Sequence, residues 1–267
     1  MAVTARRRNY KGRMADALQD MRGLLPISFN VSTNVQLYLN DETMHTRVTL
    51  PNFVSLFAPA TRATCRYRLW AFDGAGGALG ERQIDLAPFG AADIDLGTLF
   101  DGALPAFGMF AAHMTLRPKF SYAAHHLGRL MPQFLTLYEA RGMLAPQASM
   151  ALIHCLSKLG QRPVPHAAWR STLPIDTDGV AALEVYQVNP SPQAVRSELY
   201  LEAPDGGRIV ADKASVPPLA TRRVRWPREA FAGRRWLRLG AHGLTAPNAK
   251  PLLFVHFADG SFSAQHP

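Results

Sequence analysis

A chain of 267 residues, 48% hydrophobic and 18% charged, is a globular mixture long enough for one large domain or two of about 130 residues. It has no apolar run of 18 residues, so no membrane-spanning helix is expected, and its basic start, MAVTARRRNYKGR, lacks the apolar stretch of a secretory signal. The formal net charge is +9, from 29 Lys and Arg against 20 Asp and Glu, and its meaning depends on where the charge sits.

Residues 1–30 read as a basic arm carrying one short helix. Met14, Leu18, Met21 and Leu25 recur at helical spacing, and Pro26 ends the pattern. Such a helix packs on the body or docks on a partner. Residues 31–130 read as strands of a first β-sandwich. Val35, Leu37 and Leu39 alternate with polar neighbours, CRYRLWAF is a second short run, and DGAGGALG (73–80) is a hairpin turn. Ile84, Leu86, Ile94 and Leu96 then alternate around Pro88. Residues 131–170 hold few β-branched residues and many helix formers, which predicts a helical connector. Residues 171–267 return to strands, AALEVYQVN, SELYLEAP, GRIVADKASV, TRRVRW, RWLRLG and PLLFVHF, and make a second β-sandwich.

The two strand-rich parts resemble each other. LAPFGAADIDL (86–96) aligns with VPPLATRRVRW (216–226) at an offset of 130, which sets Pro88 over Pro218, Ile94 over Val224 and Leu96 over Trp226. Gly77 meets Gly207 at the same offset, and His113 meets His242 at 129. The expected fold is therefore mainly β: two tandem sandwiches from an internal duplication, with a helical connector and an N-terminal helix. Each shared proline marks a corner, because proline cannot donate to a sheet ladder. LEVYQVNPSPQ, SELYLEAPDGG, SVPPLATRRVRW and PLLFVHF give the second half a further likeness. It resembles the sensory rhodopsin transducer family of small soluble β-sandwich proteins. The resemblance covers about 80 residues and implies an oligomeric binding or signalling module rather than an enzyme.

Candidate chemistry is sparse. His113, His125, His126 and His154 cluster in sequence and are the candidates for a metal-assisted site, yet their spacing matches no common ligand pattern. Cys65 and Cys155 are expected to be buried free thiols. DGAGGALG has neither a P-loop nor a dinucleotide form, so no cofactor is expected. Asp93 and Asp95 share one face of a strand, and the aligned residues of the second half are Arg223 and Arg225. Opposite signs at matching positions suggest pairing across an interdomain or intersubunit contact.

By position, residues 1–30 carry +4, 31–130 zero, 131–170 +3 and 171–267 +2. The run from Arg222 to Arg238 holds seven arginines, among them Arg222, Arg223 and Arg225, interleaved by Trp226 and Trp236. The expectation is a cytoplasmic, non-catalytic binding or adaptor protein whose partner is a protein or an acidic surface. Self-association is compatible with it, and nucleic acid is the weaker partner because the charge is local. An enzyme with a histidine site and a binder of anionic surfaces are the alternatives.

Overall fold

The computed structural model describes residues 33–52, 55, 62, 64–117, 134–142, 148–152, 157–171, 173–245 and 251–265. The predicted N-terminal helix and its Met14–Leu25 stripe lie outside these residues. The first part of the chain supplies β1 (Asn34–Leu39), β2 (Met44–Pro51), β3 (Thr64–Asp73), β4 (Ala78–Leu86), β5 (Ala91–Asp95) and the single-turn α1 (Leu96–Leu99). It continues through β6 (Phe107–Arg117), β7 (Leu135–Ala140), β8 (Ala148–Leu152) and β9 (Ser157–Lys158). The second part supplies β10 (Val164–Arg170), β11 (Ile175–Asp176), β12 (Val180–Val188), β13 (Val195–Glu202), β14 (Arg208–Val216) and β15 (Thr221–Pro227). After a 3-10 turn, Arg228–Phe231, come β16 (Trp236–Thr245), β17 (Leu252–Phe257) and β18 (Phe262–Gln265).

The strands form four antiparallel sheets. Sheet I runs β4-β3-β6-β1-β9 and sheet II runs β5-β2-β7-β8. Sheet III runs β15-β12-β17-β18, and sheet IV runs β10-β16-β13-β14 with β11 also on β16. Sheets I and II enclose one core, built on Tyr67, Leu69, Phe110, Val48 and Leu50. Sheets III and IV enclose another, built on Leu183, Val185, Leu199, Leu239 and Leu253. Strand for strand, the order in sheet I before β9 matches sheet IV, and the order in sheet II matches sheet III.

Among the described residues of 131–170 there is no helical connector: they carry β7, β8, β9 and β10 instead. Leu135-Thr136-Leu137-Tyr138 pairs with β2, and strand partners outweigh the segment's helix formers.

A third core joins the two sandwiches. The outward face of sheet I gives Val35, Leu37, Leu39, Phe72 and Met109, and β7 adds Tyr138. The outward face of sheet III gives Tyr186, Val188, Leu252 and Phe254. Tyr138 and Tyr186 each meet the Phe254 ring edge to face, at 5.4 and 5.5 Å, and the Tyr138 hydroxyl donates to the Leu37 carbonyl at 3.0 Å. β1 is consequently buried on both sides: its alternating apolar residues face the other sandwich, while Tyr38 faces its own.

The hairpin between β3 and β4 closes the same junction. The Thr221 N–H donates to the Gly74 carbonyl at 3.0 Å, and Gly76 (φ 95°) lies so close to the Pro218 carbonyl that a Cβ there would come within 2.3 Å. Pro218-Leu219 is the corner between β14 and β15, and Leu219 (φ 59°) packs into the shared core. Phe89 (φ 61°) makes the same corner in the first sandwich. In both, proline precedes a left-handed residue, and the N–H of the fourth residue closes the turn onto the carbonyl of the first.

Candidate binding faces

Each sandwich builds a charge cluster on the outward face of its β5- or β15-bearing sheet, from equivalent positions. On sheet II the register sets Arg47 of β2 opposite Asp95 of β5, and His45 opposite Glu139 of β7. On sheet III it sets Glu184 of β12 opposite Arg225 of β15, and Ala182 opposite His256 of β17. Asp95 and Arg225 are offset by 130, so Arg47 and Glu184 occupy the same place with reversed sign.

Arg47 pairs with Asp93 and reaches Glu139 at 3.3 Å. His45 bridges two carboxylates, Glu139 at 2.9 Å and Asp95 at 3.3 Å. Asp95 also caps α1 by accepting from the Thr98 N–H at 2.7 Å. In the second sandwich Glu184 is 2% exposed. It accepts from Arg223, lies 3.1 Å from the His256 Nε2 and 3.8 Å from Arg225. Burial alone pushes the Glu184 carboxyl up, but the His256 hydrogen bond and the Arg223 charge outweigh it and hold the group below the usual range. The Arg223 guanidinium lies 5.9 Å from the Phe107 ring of the first sandwich and 6.0 Å from Tyr186.

Each of Asp93, Asp95, Arg223 and Arg225 thus finds its ion partner on its own sheet. Arg222 points the other way, pairs with Asp212 of β14 and donates to the Ser197 carbonyl at 3.3 Å. Trp226, at 5% exposure, is a core residue, whereas Trp236 is 42% exposed beside the Arg235 guanidinium at 5.6 Å. The arginine-rich run is therefore mostly exposed, with Arg222 and Arg228 partly buried, and several of its exposed members, Arg223, Arg225 and Arg235 among them, are still tied to carboxylates of their own sandwich.

The outward faces of sheets I and IV repeat the reversal. Arg68 of β3 lies opposite His113, and Glu198 of β13 lies opposite His242. Arg68 makes two hydrogen bonds to Glu81, at 2.7 and 2.9 Å. Glu198, 5% exposed, collects Arg208 at 3.1 Å, His242 at 3.3 Å and Lys213 at 3.6 Å. A shallow depression of about 300 Å³ opens here, lined by Arg196, Glu198, Lys213, Ser215 and His242 among others. Tyr200 lies flat against Gly240, where even a Cβ would meet its ring at 2.2 Å, and the Arg208 guanidinium covers it at 4.2 Å.

Of the metal candidates, His113 is buried and hydrogen-bonded to the Thr33 hydroxyl at 3.1 Å, and burial, with the Arg68 charge, pushes its pKa down. His125, His126 and His154 lie outside the described residues. Among the described residues no group of three or more His, Cys, Asp or Glu could hold a metal ion, and no helix is long and apolar enough to cross a membrane. Cys65 is buried, and burial, with the Asp85 charge, pushes its thiol up to about 12, so it remains protonated.

Arg47, Glu139, Glu184 and Glu198 carry these faces and were not singled out from the sequence. The signal for Glu184 was available: it is the one charge inside the apolar run AALEVYQV. Arg47 and Glu184 differ by 137 positions rather than 130, so the alignment did not bring them together.

No family model matches the chain, and no curated protein matches it. Among solved structures it is similar, at 10% identity, to a chain of an IBDV viral particle, over 83% of this chain and 52% of that one, with a TM-score of 0.20. The VP2 protein of infectious bursal disease virus is similar at 10% identity over 90% of this chain and 54% of that one, with a TM-score of 0.18. A beta-glucuronidase 2 of Bacteroides uniformis follows at 12% identity over 88% and 28%, with a TM-score of 0.16. The chain spans about half the length of the two viral chains. Likenesses this loose define neither its family nor its activity.

Proposed function

We propose that the protein is a non-catalytic binding or adaptor module that engages a protein partner through the outward faces of its sheets, and that its two sandwiches arose by internal duplication. The carrying observation is the junction between the sandwiches. There one outward sheet face and one hairpin dock on another sheet face and its corner, so the fold already contains a working docking geometry. The remaining outward faces hold charges fixed in advance by buried carboxylates, Glu139 on sheet II and Glu198 on sheet IV. Charges fixed in this way favour specific recognition, because little side-chain freedom is lost on binding. Among the described residues, the Cys65 thiol is held protonated, and His45, His242 and His256 each pair with a carboxylate within a charge cluster of their own sheet. The resemblance of the second half to a family of oligomeric sandwich modules supports the same reading.

The test is capture from native lysate on the immobilised full chain, with Asp93→Arg and Lys213→Glu chains alongside. The reading expects a stoichiometric protein partner that is lost with at least one of the two reversals. Capture of the same proteins by all three chains counts against it.

A further inference from the structure

The contact that joins the two sandwiches has a second, unused set of parts. Inside the chain the β3–β4 hairpin of the first sandwich meets the β14–β15 corner of the second. The equivalents are the β13–β14 hairpin of the second sandwich and the β4–β5 corner of the first. The hairpins are alike in detail. Asp73 N–H bonds to the Gly77 carbonyl and Gly76 N–H to the Asp73 carbonyl, just as Ala203 bonds Gly207 and Gly206 bonds Ala203. Gly206 (φ 87°) matches Gly76 (φ 95°), but the space beside Gly206 is empty within 4 Å. Phe89 matches Leu219, but it is 60% exposed where Leu219 is packed. A large aromatic at the tip of a left-handed corner is unfavourable for solubility and for backbone energy alike.

The faces behind these parts are complementary in charge. The outward face of sheet II carries Asp93, Asp95 and Glu139 against Arg47. The outward face of sheet IV carries Arg170, Arg196, Arg208, Lys213 and Arg238 against Glu198 and Glu202. Their equivalents inside the chain, sheets III and I, meet through a mainly apolar core, with Arg223 the charged group that reaches across to Phe107. Permanent contacts are apolar and reversible ones are polar, so this division fits one fixed junction and one that opens.

From this geometry we propose that the chain associates head to tail with a second copy of itself, sheet IV and the Gly206 hairpin of one copy docking on sheet II and the Phe89 corner of the next. The proposal rests on the binding reading above and names its partner. Because the two surfaces differ, the contact is heterologous and propagates into a ring or an open chain of copies.

Sedimentation velocity of the full chain over a concentration series, at about 50 mM and about 500 mM salt, tests it. Mass is expected to rise with concentration at low salt and to return to the monomer at high salt. Phe89→Asp keeps a residue that tolerates the left-handed region, and Lys213→Glu reverses a cation of sheet IV. Each is expected to weaken association at least about tenfold, the loss of one central contact. Mixed together they form a one-to-one pair, because each variant retains the surface the other has lost. Three results would overturn the proposal: a wild-type chain monomeric throughout, undiminished association by both variants, or no pair in the mixture. A monomeric chain that still captures a foreign protein, lost with Lys213→Glu, overturns self-association and leaves the binding reading standing. A monomeric chain with no such partner overturns both.

Discussion

The first sandwich centres its outward ladder on a cation, Arg47, and the second centres the equivalent ladder on an anion, Glu184. Arg68 and Glu198 repeat the contrast on the other pair of sheets. Strand order, corner geometry and hairpin bonding are the same in both. The sandwich is therefore specified by which positions are apolar and by the turns that set register, and the sign of a face charge is free provided its neighbours compensate it. The equivalent faces part company in what covers them. Phe254 sits in the shared core, whereas its equivalent Leu137 is only partly buried on the outward face of sheet II.

That asymmetry is broken most forcefully at Phe254. Phe254→Ala is expected to destabilise the chain by about 4 kcal/mol in urea unfolding, through lost burial and a cavity between the sandwiches. Leu137→Ala should cost less, about 1 kcal/mol, as a change at a partly buried position. Equal costs would mean that the junction is not a true core.

Glu184→Gln leaves Arg223 and His256 without their buried partner and is expected to cost about 3 kcal/mol. Arg47→Gln, at a half-exposed position, should cost about 1 kcal/mol or less in the same titration. The reverse order would show that sheet II, not sheet III, depends on its central charge.

The two hairpins offer a smaller contrast. Gly206→Ala meets only backbone strain, about 1 kcal/mol. Gly76→Ala meets that strain and the Pro218 carbonyl as well, so its midpoint should fall further.

The smallest expected effects are in pH dependence. The Glu184 carboxyl is held down in the folded chain, so its contribution is present above the unfolded value near about 4.3 and is lost as pH falls through the folded value. Glu184→Gln should flatten that acid limb. His113 is also held down, by burial and then by Arg68, so folding favours its neutral form. Stability therefore falls as pH drops below about 6.5, where the unfolded chain takes up the proton first, until the folded value is passed. His113→Leu should remove its part of the slope in that window.

Strands with one polar face were readable, as were the proline corners and the DGAGG hairpin, because period and turn chemistry are local. The β7 strand was not. LTLYEA has the alternation of a strand, but its setting among helix formers masked it, and only pairing with β2 decides the outcome. The fusion of the sandwiches was partly visible: PLLF is apolar on consecutive positions, as a strand buried on both sides must be. Trp226 stood among the candidate binding residues of the arginine-rich run, yet its alternation with the arginines is also that of a core residue, because a β-strand sends adjacent residues to opposite faces. Trp226 enters the core, and Arg222 bends to the edge of the sandwich to meet Asp212. Which ion pairs with which depends on register between strands far apart in sequence, and no local pattern carries it.

β1 is enclosed on both faces, by its own sandwich and by the neighbouring one. Neither half can melt without exposing it, so heating should give one calorimetric transition for the whole body rather than two. The amides of Val35 to Leu39 should exchange with deuterated solvent at the rate of global unfolding, as should those of Leu183 to Val188 in β12. A chain built from two similar units would then respond to stress as a single one.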